Sequence, residues 1–157
     1  MSRKFAAWMT IGAVIGALLT GCAEDMGVDQ HGHKVSAARL DGQWLVINYW
    51  AEWCTPCRRE IPQLNKLTQQ LKDQPVTVLG VNFDGVQGEA LREVAEAMGI
   101  RFTVLAQDPA QRWQLPRSEV LPVTYIVDAQ GQLRERLLGE QTAAGLQARL
   151  AQLRGVK

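Results

Sequence analysis

Long apolar runs alternate along this chain with segments whose apolar residues recur at helical spacing. Trp44–Trp50 is an almost continuous run of apolar, strand-favouring residues, as expected for a strand buried on both faces. Residues 54–72 have the spacing of an amphipathic helix, within which Pro62 predicts a kink. The same patterns predict further strands at 76–81, 102–105, 120–127 and 132–138, a helix at 88–98, a helical turn at 109–113 and a closing helix at 142–153.

The order of these elements defines the expected fold class. Strands and helices alternate as βαβαβ, and a β-hairpin with its turn at 128–131 precedes the closing helix. This order predicts an α/β fold whose central sheet is parallel at first and antiparallel at its end. Residues 35–157 are numerous enough to bury one hydrophobic core, so we expect a single domain there.

The first 21 residues have the composition of a lipoprotein signal peptide rather than of a folded domain. Arg3 and Lys4 precede an apolar run at 5–19, which at about 15 residues is shorter than the roughly 20 that a spanning helix needs. The run ends in Leu-Thr-Gly-Cys, which resembles the bacterial lipobox. Cys22 is therefore expected to be lipidated and to begin the mature protein, the alternative being an uncleaved anchor helix.

Residues 22–34 are expected to connect this anchor to the domain. They contain two glycines and several charged residues and show no apolar periodicity. We interpret them as a tether with a hairpin turn at Gly32, between short strands near Val28 and Val35.

Composition narrows the range of functions. The chain is 21% charged with a net charge of +1 and has no basic run, which argues against a nucleic-acid partner. Three cysteines are an odd number, which requires an explanation in an exported protein. Assigning Cys22 to a lipid leaves Cys54 and Cys57 as one pair that is free to cycle in an oxidising compartment.

The Cys-Thr-Pro-Cys sequence lies where the buried strand gives way to the helix. At a helix N-terminus, Cys54 meets unpaired backbone N–H groups and the positive end of the helix dipole, which favour the nucleophilic thiolate. Cys57 follows three residues later on the same helical face, so it is placed to attack a mixed disulfide held on Cys54. Pro56 lacks only an N–H that would be unpaired in any case.

Two other interpretations of the cysteine pair are weaker. A permanent disulfide would close too small a loop to stabilise the fold much. A zinc site would need further ligands, and only His31 and His33 are available, in a predicted turn where solvent exposure is the simpler expectation. We therefore expect no metal and no cofactor. Asp84 is interpreted as a turn or helix cap.

Residues 50–60, Trp-Ala-Glu-Trp-Cys-Thr-Pro-Cys-Arg-Arg-Glu, resemble the active site of the exported thioredoxin-like reductases of the TlpA, ResA and CcmG type. Shorter matches occur at 81–84, 121–124 and 127–131. The resemblance implies a thioredoxin-like fold, with a central mixed sheet flanked by helices and an inserted helix and strand at 88–105. Val123 differs from the family pattern, which has threonine directly after the proline.

The resemblance also implies roles for individual residues. A cis peptide at Leu121-Pro122 is expected to face the cysteines, which makes Pro122 part of the catalytic site. Glu60 is expected to lie near the sulfurs, where its carboxylate would raise the thiol pKa values and exchange a proton with Cys57. The alternative is that Glu60 is only an acidic residue favoured at a helix start by the helix dipole. The residues expected to bind substrate are Trp53, Thr55, Pro56 and Leu121.

The function expected from these features is reduction of disulfides in exported proteins by a lipid-anchored enzyme at the periplasmic face of a bacterial membrane. Its electrons would come from a membrane-bound donor of the DsbD or CcdA type. The sequence leaves open whether that membrane is the inner or the outer one. Two alternatives also remain, a protein disulfide oxidant and a redox-inert binding lipoprotein built on the same fold.

Overall fold

The computed structural model describes residues 25–155, which form seven strands and four helices. The strands are β1 Asp25–Val28, β2 Lys34–Ser36, β3 Trp44–Trp50, β4 Val76–Asn82, β5 Thr103–Leu105, β6 Val123–Val127 and β7 Leu133–Leu138. The helices are α1 Ala37–Leu40, α2 Thr55–Gln70, α3 Gly88–Ala97 and α4 Ala143–Arg154. The predicted signal peptide 1–21 and Cys22 lie outside the described residues.

The centre of the fold is a five-stranded mixed sheet in the order β5-β4-β3-β6-β7. The strands β3, β4 and β5 are parallel, whereas β6 runs antiparallel to β3, and β7 antiparallel to β6. The predicted change from parallel to antiparallel pairing is therefore confirmed. The inserted segment, α3 and β5, adds its strand to the edge of the sheet beside β4.

Alternate residues of β3 face two different parts of the core. Leu45, Ile47 and Tyr49 belong to an apolar cluster that includes residues of β1, α1 and the segment after β5. Val46 packs with α2 and α4, and Trp50 packs with α2 and α3. Both faces of the strand are covered, which explains its nearly continuous apolar sequence. The strand thus runs through the core and ends close to the start of α2.

Two elements differ from the prediction. The strand expected at 120–127 begins at Val123, because the proline before it has no N–H to donate to a sheet ladder. The helix α1 was not predicted, since four residues are too few to show helical periodicity. In contrast, the turn at 109–113 is present, with the Arg112 N–H donating to the Pro109 carbonyl over 3.0 Å. Thr142 caps α4 as predicted.

Residues 25–36 form the predicted hairpin, with β1 antiparallel to β2. The hairpin also contacts β5 through Gln30, which is 7% exposed. Its amide donates to the Phe102 carbonyl over 3.0 Å and accepts from the Val104 N–H over 2.7 Å. Most of the segment assigned to a tether is thus attached to the sheet. At the far end of the hairpin, Asp25 lines a cleft that also includes Leu45, the second residue of β3.

Across residues 25–155, no helix is both long enough and apolar enough to cross a membrane.

Replacing Gln30 tests whether the hairpin is held by this side chain. Gln30→Ala removes one partner from each of two backbone groups near β5, so we expect the free energy of unfolding to fall by about 1–3 kcal/mol. Urea denaturation measures the change, and His31→Ala, at the neighbouring exposed position, is the control. Equal unfolding midpoints for Gln30→Ala and wild type would show that the hydrogen bonds do not fix the hairpin.

Candidate active site

Cys54 lies at the junction of β3 and α2, in the N-cap position of the helix. Its backbone is extended, with φ −82° and ψ 98°, and its sulfur accepts a hydrogen bond from the Cys57 N–H over 3.2 Å. A polar side-chain atom at the N-cap normally satisfies one of the unpaired N–H groups of the first turn, and here sulfur takes that place. The position predicted for Cys54 is therefore the one observed.

The two cysteines form a disulfide, with their Cα atoms 5.3 Å apart. Cys57 is completely buried, whereas Cys54 retains 3% exposure and lies between the exposed residues Trp53 and Thr55. Both sulfurs belong to an apolar cluster that also contains Trp50. Cys54 is therefore the slightly more exposed cysteine of the pair.

Among the large hydrophobic residues at 25–155, Trp53 is the most exposed, at 65%. Its indole N–H donates to the Asp84 carboxylate over 2.9 Å. Asp84 therefore holds Trp53 across the end of the sheet and does not cap α3, whose N-cap is Gln87. Pro56 is half-buried, so the surface around Cys54 combines an anchored aromatic ring with the first turn of α2.

The Leu121-Pro122 peptide is cis, as the family resemblance implies. Tyr49 pairs with Val123 in the antiparallel register of β3 and β6, so Pro122 follows at the end of the sheet where the cysteines lie. Pro122 is buried, and Leu121 packs against the apolar cluster that contains both sulfurs. The structure therefore brings Leu121 to the apolar cluster that contains the redox pair.

Glu60 is a buried carboxylate on α2 with 1% exposure. Its Oε2 accepts from the Asn48 side-chain amide over 2.8 Å, and its Oε1 accepts from the Gln141 backbone N–H over 3.0 Å. The Asn48 amide also donates to the Thr124 hydroxyl over 3.0 Å. Because Glu60 follows Cys57 by three residues, both side chains lie on one face of the helix.

Burial raises the pKa of Glu60 to about 7, because the charged form loses its water. Hydrogen bonds from Asn48, the Gln141 backbone and Thr124 lower the pKa, and the nearby charge of Glu140 raises it, but burial has the largest effect. Glu60 therefore binds and releases a proton near neutral pH, which is the range required of an acid–base group.

Three partners of Glu60 were not expected from the sequence. Asn48 is a polar residue in the middle of an apolar strand, and this position in the sequence indicates a buried side chain that needs a hydrogen-bond partner. Thr124 is ordinary for a strand, so its sequence carries no such signal. Gln141 contributes its backbone N–H, which every residue except proline has, so only the tertiary structure reveals it.

His31 and His33 are exposed in the hairpin, as predicted. Within residues 25–155, no three His, Cys, Asp or Glu side chains are grouped so that they could hold a metal ion.

The profile of the AhpC/TSA family matches residues 20–136. The chain belongs to this family. Among curated relatives of this AhpC/TSA protein, the thiol-disulfide oxidoreductase ResA of Geobacillus kaustophilus is 29% identical over 126 residues, which are 80% of this chain and 72% of ResA. The thiol:disulfide interchange protein HelX of Rhodobacter capsulatus is 35% identical over 103 residues, 65% of this chain and 56% of HelX.

Solved structures of similar fold include a thioredoxin-family thiol:disulfide interchange protein from Chlorobium tepidum. It has a TM-score of 0.68 and 23% identity, covering 81% of this chain and 90% of that one. A putative thioredoxin from Neisseria meningitidis has a TM-score of 0.65 and 26% identity, covering 83% and 87%. The predictions of a thioredoxin-like fold and of a thiol–disulfide oxidoreductase similar to ResA are confirmed for this AhpC/TSA protein.

The raised pKa of Glu60 makes the stability of the oxidised protein depend on pH. The folded state binds the proton more tightly than the unfolded state, whose glutamate has a pKa of 4.5, so stability falls as pH rises from there to about 7. Glutamine cannot ionise, so the free energy of unfolding of Glu60→Gln should rise relative to that of wild type by roughly 2 kcal/mol as the pH increases from about 5 to about 8. Urea unfolding at several pH values measures this difference.

In the reduced Glu60→Gln variant, we also expect lower apparent thiol pKa values, because a negative charge near the sulfurs has been removed. Alkylation rates across pH measure them. Glu93→Gln, on the exposed surface of α3, controls for the loss of one negative charge. Superimposable stability and alkylation curves for Glu60→Gln and wild type would mean that Glu60 does not influence the redox site.

Proposed function

We propose that the protein is a lipid-anchored reductase of disulfides in exported proteins, cycling between a Cys54 and Cys57 dithiol and the disulfide seen here. The observation that carries this proposal is the position of the Cys54 sulfur at the N-cap of α2, with Cys57 buried one turn further along. This arrangement places the nucleophile at the helix start between the exposed residues Trp53 and Thr55, and keeps the resolving thiol fully buried.

The reaction has two steps. The Cys54 thiolate attacks one sulfur of the substrate disulfide, forming a mixed disulfide and releasing the other substrate sulfur as a thiolate that takes up a proton. Cys57 then loses its proton and attacks the Cys54 sulfur. The Cys54–Cys57 bond forms, the bond to the substrate breaks, and the second substrate thiolate leaves. Two electrons pass from the protein to the substrate.

Glu60 is the proposed acceptor of the Cys57 proton. The burial of Cys57 keeps bulk water away from its sulfur, so an internal base is needed for the second step. Glu60 lies on the same helical face and has a pKa of about 7, which suits both taking up and returning a proton.

The charge of Glu60 favours a reductase over an oxidant. Strong oxidants of this class are oxidising because their reduced, thiolate form is stabilised. An ionised Glu60 near the sulfurs opposes the thiolate and so favours the disulfide form of the pair. The reduced protein should therefore donate electrons readily.

Substrate docking is proposed at the surface formed by Trp53, Thr55, Pro56 and Leu121. Trp53 offers a wide apolar contact that Asp84 holds in place. Next to the cis proline, the backbone of Leu121 would pair with an extended segment of the substrate. Such pairing suits a protein disulfide better than a small-molecule disulfide.

The proposed place in the cell is the periplasmic face of a membrane, with Cys22 as the lipid anchor. Because that compartment is oxidising, the reduced state must be regenerated by a membrane-bound electron donor of the DsbD or CcdA type. The names of the relatives, a thiol-disulfide oxidoreductase and a thiol:disulfide interchange protein, support this chemistry.

Redox assays test the proposed direction of electron flow. We expect the reduced protein to reduce insulin, and Cys54→Ser to abolish this activity because the nucleophile is lost. The two-electron potential should lie below roughly −200 mV, nearer thioredoxin than a strong oxidant at about −120 mV. Equilibration with glutathione measures the potential.

A value near the strong-oxidant potential would instead assign the protein to disulfide formation. Cys57→Ser is the companion variant, since it should retain the attack by Cys54 and trap substrates as mixed disulfides that mass spectrometry identifies. Insulin reduction by Cys54→Ser would contradict the assignment of the nucleophile.

Replacing Cys22 tests the anchor. We expect Cys22→Ser to block lipid attachment, so that the protein leaves the membrane fraction or accumulates unprocessed. Mass spectrometry of the wild-type membrane fraction should find a mature N-terminus at Cys22 carrying lipid. An intact Met1 together with an unmodified Cys22 would instead indicate an uncleaved anchor helix.

A further inference from the structure

The connection between β7 and α4, residues 139–142, lies against two parts of the active site. The Gly139 N–H donates to the Pro122 carbonyl over 2.9 Å. Two residues later, the Gln141 N–H donates to Glu60 Oε1 over 3.0 Å. The connection therefore joins the cis proline to the buried carboxylate, and Gln141 contributes to the cover that separates Glu60 from solvent.

An ion pair on the surface lies directly beside this cover. Arg59 Nε donates to both carboxylate oxygens of Glu140, over 3.0 and 3.1 Å, and the guanidinium makes a further hydrogen bond to Glu140 Oε1. Arg59 precedes Glu60 on α2, and Glu140 precedes Gln141 in the connection. The same two segments are thus joined twice, on the surface by the Arg59–Glu140 ion pair and in the interior by the hydrogen bond from the Gln141 N–H to Glu60.

We propose that the Arg59–Glu140 ion pair is a clasp that keeps the β7–α4 connection closed over Glu60 and so controls how much water reaches this carboxylate. The functional consequence rests on the proposed role of Glu60 as the proton acceptor for Cys57. Arg59 and Glu140 are positioning residues, because they act on the redox pair through Glu60.

The exposure of the pair is compatible with this role. Exposed ion pairs contribute little to global stability. A clasp needs only to bias the local opening of a short connection, which takes much less free energy than unfolding the domain. The same connection is also attached at its other end, where the Ala143 N–H donates to Gln63 Oε1 over 3.2 Å. The segment that could lift is therefore limited to residues 140–142, between the attachments of Gly139 and Ala143.

The groups facing Glu60 define the electrostatic expectation. Asn48 and Thr124, on the neighbouring strands β3 and β6, carry no charge, and the cysteines are neutral in the disulfide. Glu140 is the charged group of the connection, and its charge raises the pKa of Glu60. Arg59 lowers the pKa of Glu140 and keeps that carboxylate ionised.

A clasp and a simple charge effect predict different results for one variant. If only charge mattered, Arg59→Met would leave Glu140 uncompensated and raise the pKa of Glu60, whereas Glu140→Gln would lower it. If the pair is a clasp, either variant opens the cover and hydrates the carboxylate. Opening also breaks the hydrogen bond from the Gln141 N–H, and its loss by itself raises the pKa of Glu60, but burial is the larger effect. Both variants should therefore lower the pKa of Glu60 and expose the Gln141 N–H.

The experiment uses the purified, oxidised full-length protein in detergent. Carbon-13 NMR of labelled glutamate carboxyl groups measures the pKa of Glu60, and amide hydrogen exchange measures the protection of the Gln141 N–H. In Arg59→Met and in Glu140→Gln we expect the pKa to fall by about half a unit or more, with faster exchange at Gln141. The double variant R59E/E140R should restore both values towards wild type.

Arg92→Met is the matched control, because it breaks an exposed ion-pair cluster with Glu89 and Glu96 on α3. It should change neither measurement. A rise in the Glu60 pKa in Arg59→Met, or unchanged exchange at Gln141 in both clasp variants, would overturn the proposal. Neither measurement needs a substrate, so loss of the proposed reductase function would be seen separately, as failure of the wild-type protein to reduce insulin.

Discussion

The first turn of α2 points unpaired backbone N–H groups towards the carboxyl end of β3, and the Cys54 sulfur accepts one of them. This contact depends on where the strand ends, because β3 must stop at Trp50 for the chain to reach the N-cap position in four residues. The covered faces of the sheet keep β3 in register. The packing of β3, a strand that contains no cysteine, thus determines that the Cys54 sulfur lies at the start of α2.

Two opposing electrostatic influences act on the redox pair in the proposed mechanism. The helix N-terminus would stabilise a thiolate on Cys54, whereas an ionised Glu60, three residues after Cys57 on the same helical face, would oppose negative charge there. Nucleophilic attack requires the first influence, and donation of electrons benefits from the second. Hydrogen bonds from Asn48 and from the Gln141 N–H reduce the cost of burying the charged form of Glu60. The charge on Glu60 therefore depends on β3, on α2 and on the connection between β7 and α4.

The sequence was most informative where the relevant interactions are local. Periodicity placed β3 and α2, and their junction then placed Cys54 at a helix start. The cis peptide before Pro122 came only from family resemblance, since neighbouring residues do not determine it. The attachment of Gln30 to β5 and the contact of Gln141 with Glu60 join residues 72 and 81 positions apart through backbone groups. Every residue has a backbone carbonyl and every residue except proline has an N–H, so composition and spacing could not predict these contacts.

The position of the hairpin limits the orientation that a lipid anchor would allow. β1 begins at Asp25, three residues after Cys22, and three residues span at most about 11 Å. The hairpin is itself attached to the edge of the sheet, because the Val28 carbonyl accepts from the Ala106 N–H over 2.9 Å and Gln30 bonds the backbone of Phe102 and Val104. Lipidated at Cys22, the domain would therefore be held close to the bilayer by its sheet edge, with only a few residues of free chain between them. An electron donor in the same membrane would then meet the redox pair only within the narrow range of orientations that so short a connection allows.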